Sequence, residues 1–259
     1  MELTWYGSNS WLIEMAGQRI LLDPWLVGPL VFGKQSWFFK AEHAQPPQIP
    51  EQIDAILLSQ GLPDHAHPET LAVLDRSIPI IASENGAKVA EKFEYQQITP
   101  LSPGQSTQLG SLQLQAFPGA PIGPLLTENA YLLQDLDQGL SLYYEPHGFH
   151  SPEVRAQAPV DVTLVPIIDL TLPLLGPFIR GGEAALELVD WLQPQLVIPT
   201  TVGGEISYSG WLDSLLSSQG DLESFRRQLH QRHPQTQVSD PLPVGQPYSV
   251  PLRTLEPSG

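Results

Sequence analysis

The sequence predicts an α/β fold, a layered sandwich of sheets and helices in a single domain spanning residues 1–259. Three observations lead there. Short runs of aliphatic, aromatic and β-branched residues recur between turn signals, and stretches with helical spacing follow them in both halves. A hydrophobic content of 41% against 15% charged residues supplies a sizeable core. The 21 Gly and 27 Pro point to many turns and short elements rather than to a helical bundle.

Strands are expected at Leu3–Tyr6, Trp11–Met15, Arg19–Leu22, Ile53–Ser59, Ile78–Ala82, Leu112–Phe117, Tyr131–Gln134, Leu140–Tyr144, Val160–Ile168 and Leu196–Pro199. Leu112, Leu114 and Ala116 alternate with Gln113 and Gln115, the pattern of a strand with one wet face. Most of the others are apolar on both faces, as in a sheet covered on both sides. Helical spacing marks Pro68–Leu74, Asn85–Phe93, Gly182–Leu192, Gly210–Ser217 and Leu222–His230. In the third, Ala185, Leu188, Val189 and Leu192 form an apolar stripe opposite Glu183, Glu187 and Asp190, and Pro194 marks its end. Residues 241–259 read as a Pro-rich tail that adds a last strand at Tyr248–Val250 before fraying.

Composition narrows function. With 12 Lys and Arg against 28 Asp and Glu the formal charge is −16, which opposes binding to a phosphate backbone, so nucleic acid is not an expected partner. Cys is absent, so a metal would need His and carboxylate ligands. The opening residues lack the basic and apolar regions of a secretory signal. The longest apolar stretch, Val162 to Ile179, is interrupted by Pro166, Asp169, Pro173 and Pro177. Cytoplasm is the default location for such a chain.

The most informative segment is Ile56–Leu71, ILLSQGLPDHAHPETL: an apolar strand, a Gly-Leu-Pro turn, Asp64-His65, then a helix starting at Pro68. Strand-to-helix turns place polar groups at the C-terminal edge of a sheet, where ligands and metals bind. This segment resembles the metallo-β-lactamase superfamily, whose His-x-His-x-Asp-His motif would fall on Gln60, Leu62, Asp64 and His65. The opening TWYGSNSWLIEMAGQRILLDPW is similar to the family's strand-turn-strand start ending in Asp-Pro. VDVTLVPI, then GPFIRGGEAALELVDWLQPQLVIPT, is similar to the strand, helix and strand before its final His. The likeness covers nearly the whole chain and is greater to the lactonase-like and phosphodiesterase-like hydrolases than to the nucleases. It implies a four-layer αββα sandwich.

The resemblance also implies a metal site from which most ligands have gone. Gln60 and Leu62 stand where the first two His belong. The third is expected near Pro118–Pro121 and the last at Thr200 or Thr201, and none of these positions is His. A full dinuclear zinc centre is therefore not expected. Asp64, His65, Glu145 and His147, the last two in the run YEPHGFH, could form one site of N and O donors for a single Zn, Fe or Mn ion. Either Glu145 or His147 would take the place of the family's bridging Asp. Asp64 and Glu145 would then be the catalytic carboxylates.

Structural roles compete for the same residues. Asp64 suits the N-cap of the helix that follows. His67 could satisfy backbone carbonyls or face solvent, and Glu145 with His147 could be a buried ion pair standing where a metal once sat. Asp23 of Asp23-Pro24 would brace the metal loop by accepting N–H bonds. His43, His230 and His233 read as ordinary surface residues, and no Ser-His-acid order indicates a triad.

Two apolar loops would rim the cleft: Pro24–Lys40, with Trp25, Phe32, Trp37, Phe38 and Phe39, and LTLPLLGPFI at 170–179. Gln60, Leu62, Trp25, Trp37, Phe38 and Thr201 are the expected cleft lining. Such a rim would suit a small apolar molecule, a protein segment, a membrane surface reached by hydrophobic contact, or a homodimer interface. On balance the missing ligands favour a binding or assembly pseudoenzyme with an apolar-rimmed cleft. The alternative is a mononuclear metal-dependent hydrolase of an ester, lactone or phosphodiester.

Overall fold

The computed structural model describes residues 1–33, 35–123, 126–173, 176–200 and 204–252. Two seven-stranded sheets pack face to face. The first runs Pro247–Ser249, Glu2–Gly7, Ser10–Met15, Gln18–Leu22, Ala55–Leu58, Ile80–Ala82 and Ile98–Pro100 in spatial order. The second runs Gln237–Val238, Leu196–Pro199, Val162–Val165, Ser141–Tyr144, Leu126–Asp135, Leu112–Ile122 and Ser106–Leu109. In each sheet an antiparallel meander continues into parallel strands.

Among the described residues, four α-helices cover the outer faces: α1 (Pro68–Val73) and α2 (Glu84–Lys92) on the first sheet, α3 (Gly182–Leu192) and α4 (Leu222–Arg232) on the second. The layers are thus helix, sheet, sheet, helix. The period of two along each strand assigns every apolar side chain to a core. Leu57 joins Trp5, Ile13, Leu114, Tyr131, Leu164 and Ile198 between the sheets. Its neighbours Ile56 and Leu58 point the other way, against Leu71, Ala87 and Ala90. Behind the second sheet, Leu132, Tyr143 and Val197 meet the α3 stripe Ala185, Leu188, Val189 and Leu192 and, from α4, Phe225 and Leu229. Strands apolar on both faces are therefore those with a helix on one side and a sheet on the other.

Three local expectations are corrected. Gly210–Ser217 is not an α-helix but a short 3-10 turn at Asp213–Leu215 followed by a strand, Ser217–Gln219. The amides of Trp211 and Leu212 donate instead to the carbonyls of Trp37 and Phe38, and Leu212 packs under the same aromatic loop. The cap of α1 is His67, whose ring nitrogen accepts from the Thr70 amide, rather than Asp64. His43 is half-buried rather than superficial, its ring 4.0 Å from that of Trp25. The tail does add a strand: Pro247–Ser249 pairs antiparallel with Glu2–Gly7, Tyr248 opposite Leu3. Residues 253–259 lie outside the described residues.

Two small three-stranded sheets, unexpected from sequence, lie beyond the sandwich. One joins Leu30–Val31, Lys40–His43 and Ile206–Ser209; the other joins Asp169–Leu172, Gly176–Ile179 and Ser217–Gln219. The loop after Tyr144 makes a tight turn at Gly148, where φ is +76° and an added Cβ would lie 1.6 Å from the Arg180 carbonyl oxygen. Gly148→Ala is therefore expected to lower stability by about 2–4 kcal/mol, from left-handed strain plus the displaced Arg180 segment. Chemical denaturation checks this, and a wild-type midpoint for the variant would remove the constraint.

Candidate metal centre

Three chain reversals at the C-terminal ends of parallel strands bring polar side chains to one edge of the sandwich. Gln18–Leu22 ends at Asp23, Ala55–Leu58 at Ser59 and Gln60, and Ser141–Tyr144 at Glu145. Glu128 enters beside them from the antiparallel strand Leu126–Asp135.

Asp23 is fully buried and organises this edge. Its carboxylate accepts from the Ser59 amide at 2.7 Å, the Ser59 hydroxyl at 2.5 Å, the Tyr144 hydroxyl at 2.7 Å and His65 Nδ1 at 2.7 Å. The expected bracing role is thus filled, with His65 as an added client. Because a carboxylate can only accept here, His65 keeps a proton on Nδ1, and its Nε2 faces Asp64 Oδ2 at 3.2 Å, to which it donates while the ring is charged.

His147 is held in the same way. Its Nδ1 donates to Glu128 Oε2 at 2.8 Å, which leaves Nε2 as the nitrogen available to a ligand. The His65 and His147 rings lie 5.2 Å apart between centroids. Donor atoms of Asp64, His65 and His147 fall within 4.8 Å of one another, and so do those of Glu128, Glu145 and His147. His147 thus joins two overlapping clusters. In place of the buried ion pair expected between Glu145 and His147, His147 is hydrogen-bonded to Glu128.

Burial sets the electrostatics. It opposes charge on His65, but the carboxylates of Asp64 and Asp23 outweigh it and hold the imidazole well above its ordinary range. It also opposes charge on Asp64, and there the adjacent His65 prevails and lowers the pKa. His147 is lowered by burial and by the charge of His65, so its ring is biased toward the neutral, ligating form. Burial pushes Glu128 up to about 8, and burial with the neighbouring Glu128 charge raises Glu145 well above the carboxylate range.

The arrangement fits a cation. Asp64 Oδ1 and Gln60 Oε1 are buried acceptors with no hydrogen-bond partner among the described residues, and the buried Glu128 and Glu145 carboxyls face each other, a pair that a shared proton or a cation relieves. Leaving one such acceptor unsatisfied costs about 1–3 kcal/mol, and two of them beside a carboxyl pair are what a bound positive charge would relieve. Two carboxylate-buttressed imidazoles and one carboxylate make an N and O donor set suited to Zn, Fe or Mn.

The remaining predicted residues are scattered. Gln60 is buried and donates from Nε2 to Glu128 Oε2 at 2.8 Å. Leu62, without a donor atom, is 41% exposed on the turn before Asp64. Trp25 is not on a cleft rim: it is fully buried, and its Nε1 donates to the Gly28 carbonyl. Trp37 is 66% exposed and meets Phe38 edge-on, while Phe38 lies against Trp211. Thr201 lies outside the described residues. Glu128 was not anticipated. Its only signal is a carboxylate at the head of the run ENAYLL, apolar from Ala130 onward, where a strand buried on both faces has no solvent for it.

The family described as Beta-lactamase superfamily domain matches residues 2–201. A UPF0173 metal-dependent hydrolase of Myxococcus xanthus is 26% identical over 252 residues, 87% of this chain and 77% of that protein. A UPF0173 protein of Pyrococcus abyssi is 25% identical over 246 residues, 93% of this chain and 96% of its own length. A metallo hydrolase of the archaeon Ignicoccus hospitalis superposes with a TM-score of 0.67 at 16% identity, covering 96% of this chain and 99% of that one. With this match over residues 2–201 and with this four-layer architecture, the chain belongs to the beta-lactamase superfamily.

Proposed function

We propose that the protein is a metal-dependent hydrolase with one metal held by Asp64, His65 and His147, acting on an ester, lactone or phosphodiester. The observation that carries this is the pair of imidazoles, each with Nδ1 tied to a buried carboxylate, converging with Asp64 on one point. The relatives named metal-dependent hydrolases support the same reading over the binding protein that the missing His residues favoured. A metal bound there would polarise the scissile carbonyl or phosphoryl group and make water a nucleophile near neutral pH.

The chain's own residues do the rest. Asp23 and Glu128 fix the orientation and tautomer of His65 and His147. Glu145 keeps one oxygen on the amide of Phe149, at 2.9 Å, and of Gly148, while its carboxyl also meets that of Glu128. With a cation bound beside it, whose charge would favour the ionised form, Glu145 would take the proton from the attacking water and return it to the leaving group. Gln60 and Leu62 contribute no ligand in this scheme, and Gln60 steadies Glu128.

Elemental mass spectrometry on tag-free protein purified without chelator tests it. A single Zn, Fe or Mn per chain is expected, lost in Asp64→Ala and in His65→Ala together with hydrolysis. Folded wild-type protein devoid of metal after supplementation, or full turnover by His65→Ala, would overturn the reading.

A further inference from the structure

A cavity of about 300 Å³ adjoins the metal centre, lined by Gly119, Gly148, Phe149, His150, Arg180 and Trp191 together with residues of α3. Two of its walls are also walls of the site. Gly119 lies against Glu128, so that an added Cβ would come 2.8 Å from Glu128 Cγ, and the Gly148 amide donates to Glu145. Only glycine at these positions lets the cavity approach the two carboxyl groups so closely.

One wall carries a cation without a carboxylate partner, in a strongly negative protein. Arg180 has no carboxylate within ion-pair distance among the described residues, although acids outnumber bases 28 to 12. Its guanidinium is held over the Phe149 ring at 4.2 Å, which orients it without neutralising it. The Arg180 amide donates to the His147 carbonyl at 2.8 Å, tying the residue to the metal loop.

His150 also lines the cavity. Its side chain is 3% exposed, its Nδ1 lies 3.5 Å from the Tyr143 hydroxyl, and its Nε2 has no partner. Its Nδ1 also lies 3.8 Å from Glu145 Oε2, and burial lowers its pKa to about 3, so the ring is neutral and adds no charge to the wall. The first turn of α3, which lines the cavity through Ala184, begins at Gly181 without a side-chain cap. Glu187 on the next turn also lines it and would repel a second negative charge.

We propose that this cavity is the substrate's anion subsite, holding a carboxylate or phosphate monoanion while the bond to be cleaved reaches the metal centre past Gly119 and Gly148. The place of cleavage rests on the hydrolase reading; the anion rests on the cavity alone. The substrate class is therefore a small hydrolysable ester that carries its own negative charge.

Calorimetric titration of the full-length protein, metal-free and metal-loaded, with benzoate, inorganic phosphate and neutral benzyl alcohol tests the subsite. Benzoate or phosphate is expected to bind in both metal states and to weaken about tenfold or more in Arg180→Ala, the loss of one charge-assisted contact. Whichever anion binds identifies the source of the charge, and benzyl alcohol should be indifferent to the substitution. Arg180 is exposed, so an unchanged thermal midpoint for the variant is expected. Binding of neither anion, or equal binding by Arg180→Ala, would overturn the proposal.

A second arm compares hydrolysis of phenyl acetate and phenyl hydrogen succinate. A preference for the charged ester in kcat/KM, abolished in Arg180→Ala, supports the subsite. Hydrolysis without charge preference would remove the subsite and leave the hydrolase. Anion binding without hydrolysis of either ester would do the reverse.

Discussion

Substituting Asp23 with Asn is expected to destabilise the metal-free protein by about 3–5 kcal/mol and to weaken metal binding by about 10–100-fold. Four donors converge on this fully buried carboxylate: one amide, two hydroxyls and an imidazole N–H. An Asn keeps the shape, and can tolerate the left-handed φ of +43° found at Asp23, but one accepting oxygen becomes an NH₂ group. Ser59 Oγ, Tyr144 OH and His65 Nδ1 all point at Oδ2, so a donor there faces three donors, and a negative charge that balances His65 is lost. The imidazole is then free to rotate or to change tautomer. Denaturant titration and competition against a metal indicator would measure the two effects. Wild-type stability and affinity in Asp23→Asn would mean that the carboxylate neither supports the edge nor orients His65.

From about pH 6.5 to about 8 the metal-free protein is expected to lose stability as pH rises, and Glu128→Gln is expected to flatten that decline. Below that range His43, His67, His147 and His150, whose pKa values burial lowers, act in the opposite direction. The sign follows from which state holds the proton. Between its unfolded value and the raised native value, Glu128 is protonated in the native protein and ionised in the unfolded chain. The native state therefore binds more protons, and stability falls with pH by about 1.4 kcal/mol per unit for each such proton. His65 acts in the same direction further up the scale: its charge, favoured by Asp64 and Asp23, stabilises the fold below the ordinary imidazole pKa and is lost as pH rises through the elevated native one.

A bound cation should reverse the trend, because its ligands must be deprotonated and its affinity grows with pH. Thermal midpoints of metal-free wild type and Glu128→Gln across this window test the argument. Superimposable pH profiles would show that Glu128 is not the group holding the proton.

Much of the architecture was legible along the chain. Runs such as AILL at 55–58 and VTLV at 162–165 are apolar at every position because each is covered on both faces, and alternation in Leu112–Phe117 reports its half-wet face. These are one-dimensional signals of local burial, so periodicity captures them. The small sheets were not legible. The Leu30–Val31 and Lys40–His43 strands are stabilised by Ile206–Ser209, more than 160 residues distant, and their residues carry no β pattern of their own.

The site divides in the same way. Asp64 and His65 could be placed from sequence, since strand, turn and helix bring them to a sheet edge whatever lies opposite. The choice between Glu145 and His147 could not, because both sit on one loop and only the side-chain directions distinguish them. In the fold His147 belongs to both donor clusters, whereas Glu145 turns one oxygen back to its own loop. Glu128 lay beyond any local reading: its partners Gln60 and His147 are 68 and 19 residues away.

The sequence by itself thus determined the layers and the loop that carries Asp64 and His65, because burial and turn chemistry are properties of neighbouring residues. Only the tertiary structure decided which carboxylates buttress which imidazoles, because a hydrogen bond between distant strands depends on register and side-chain direction, which no local pattern encodes.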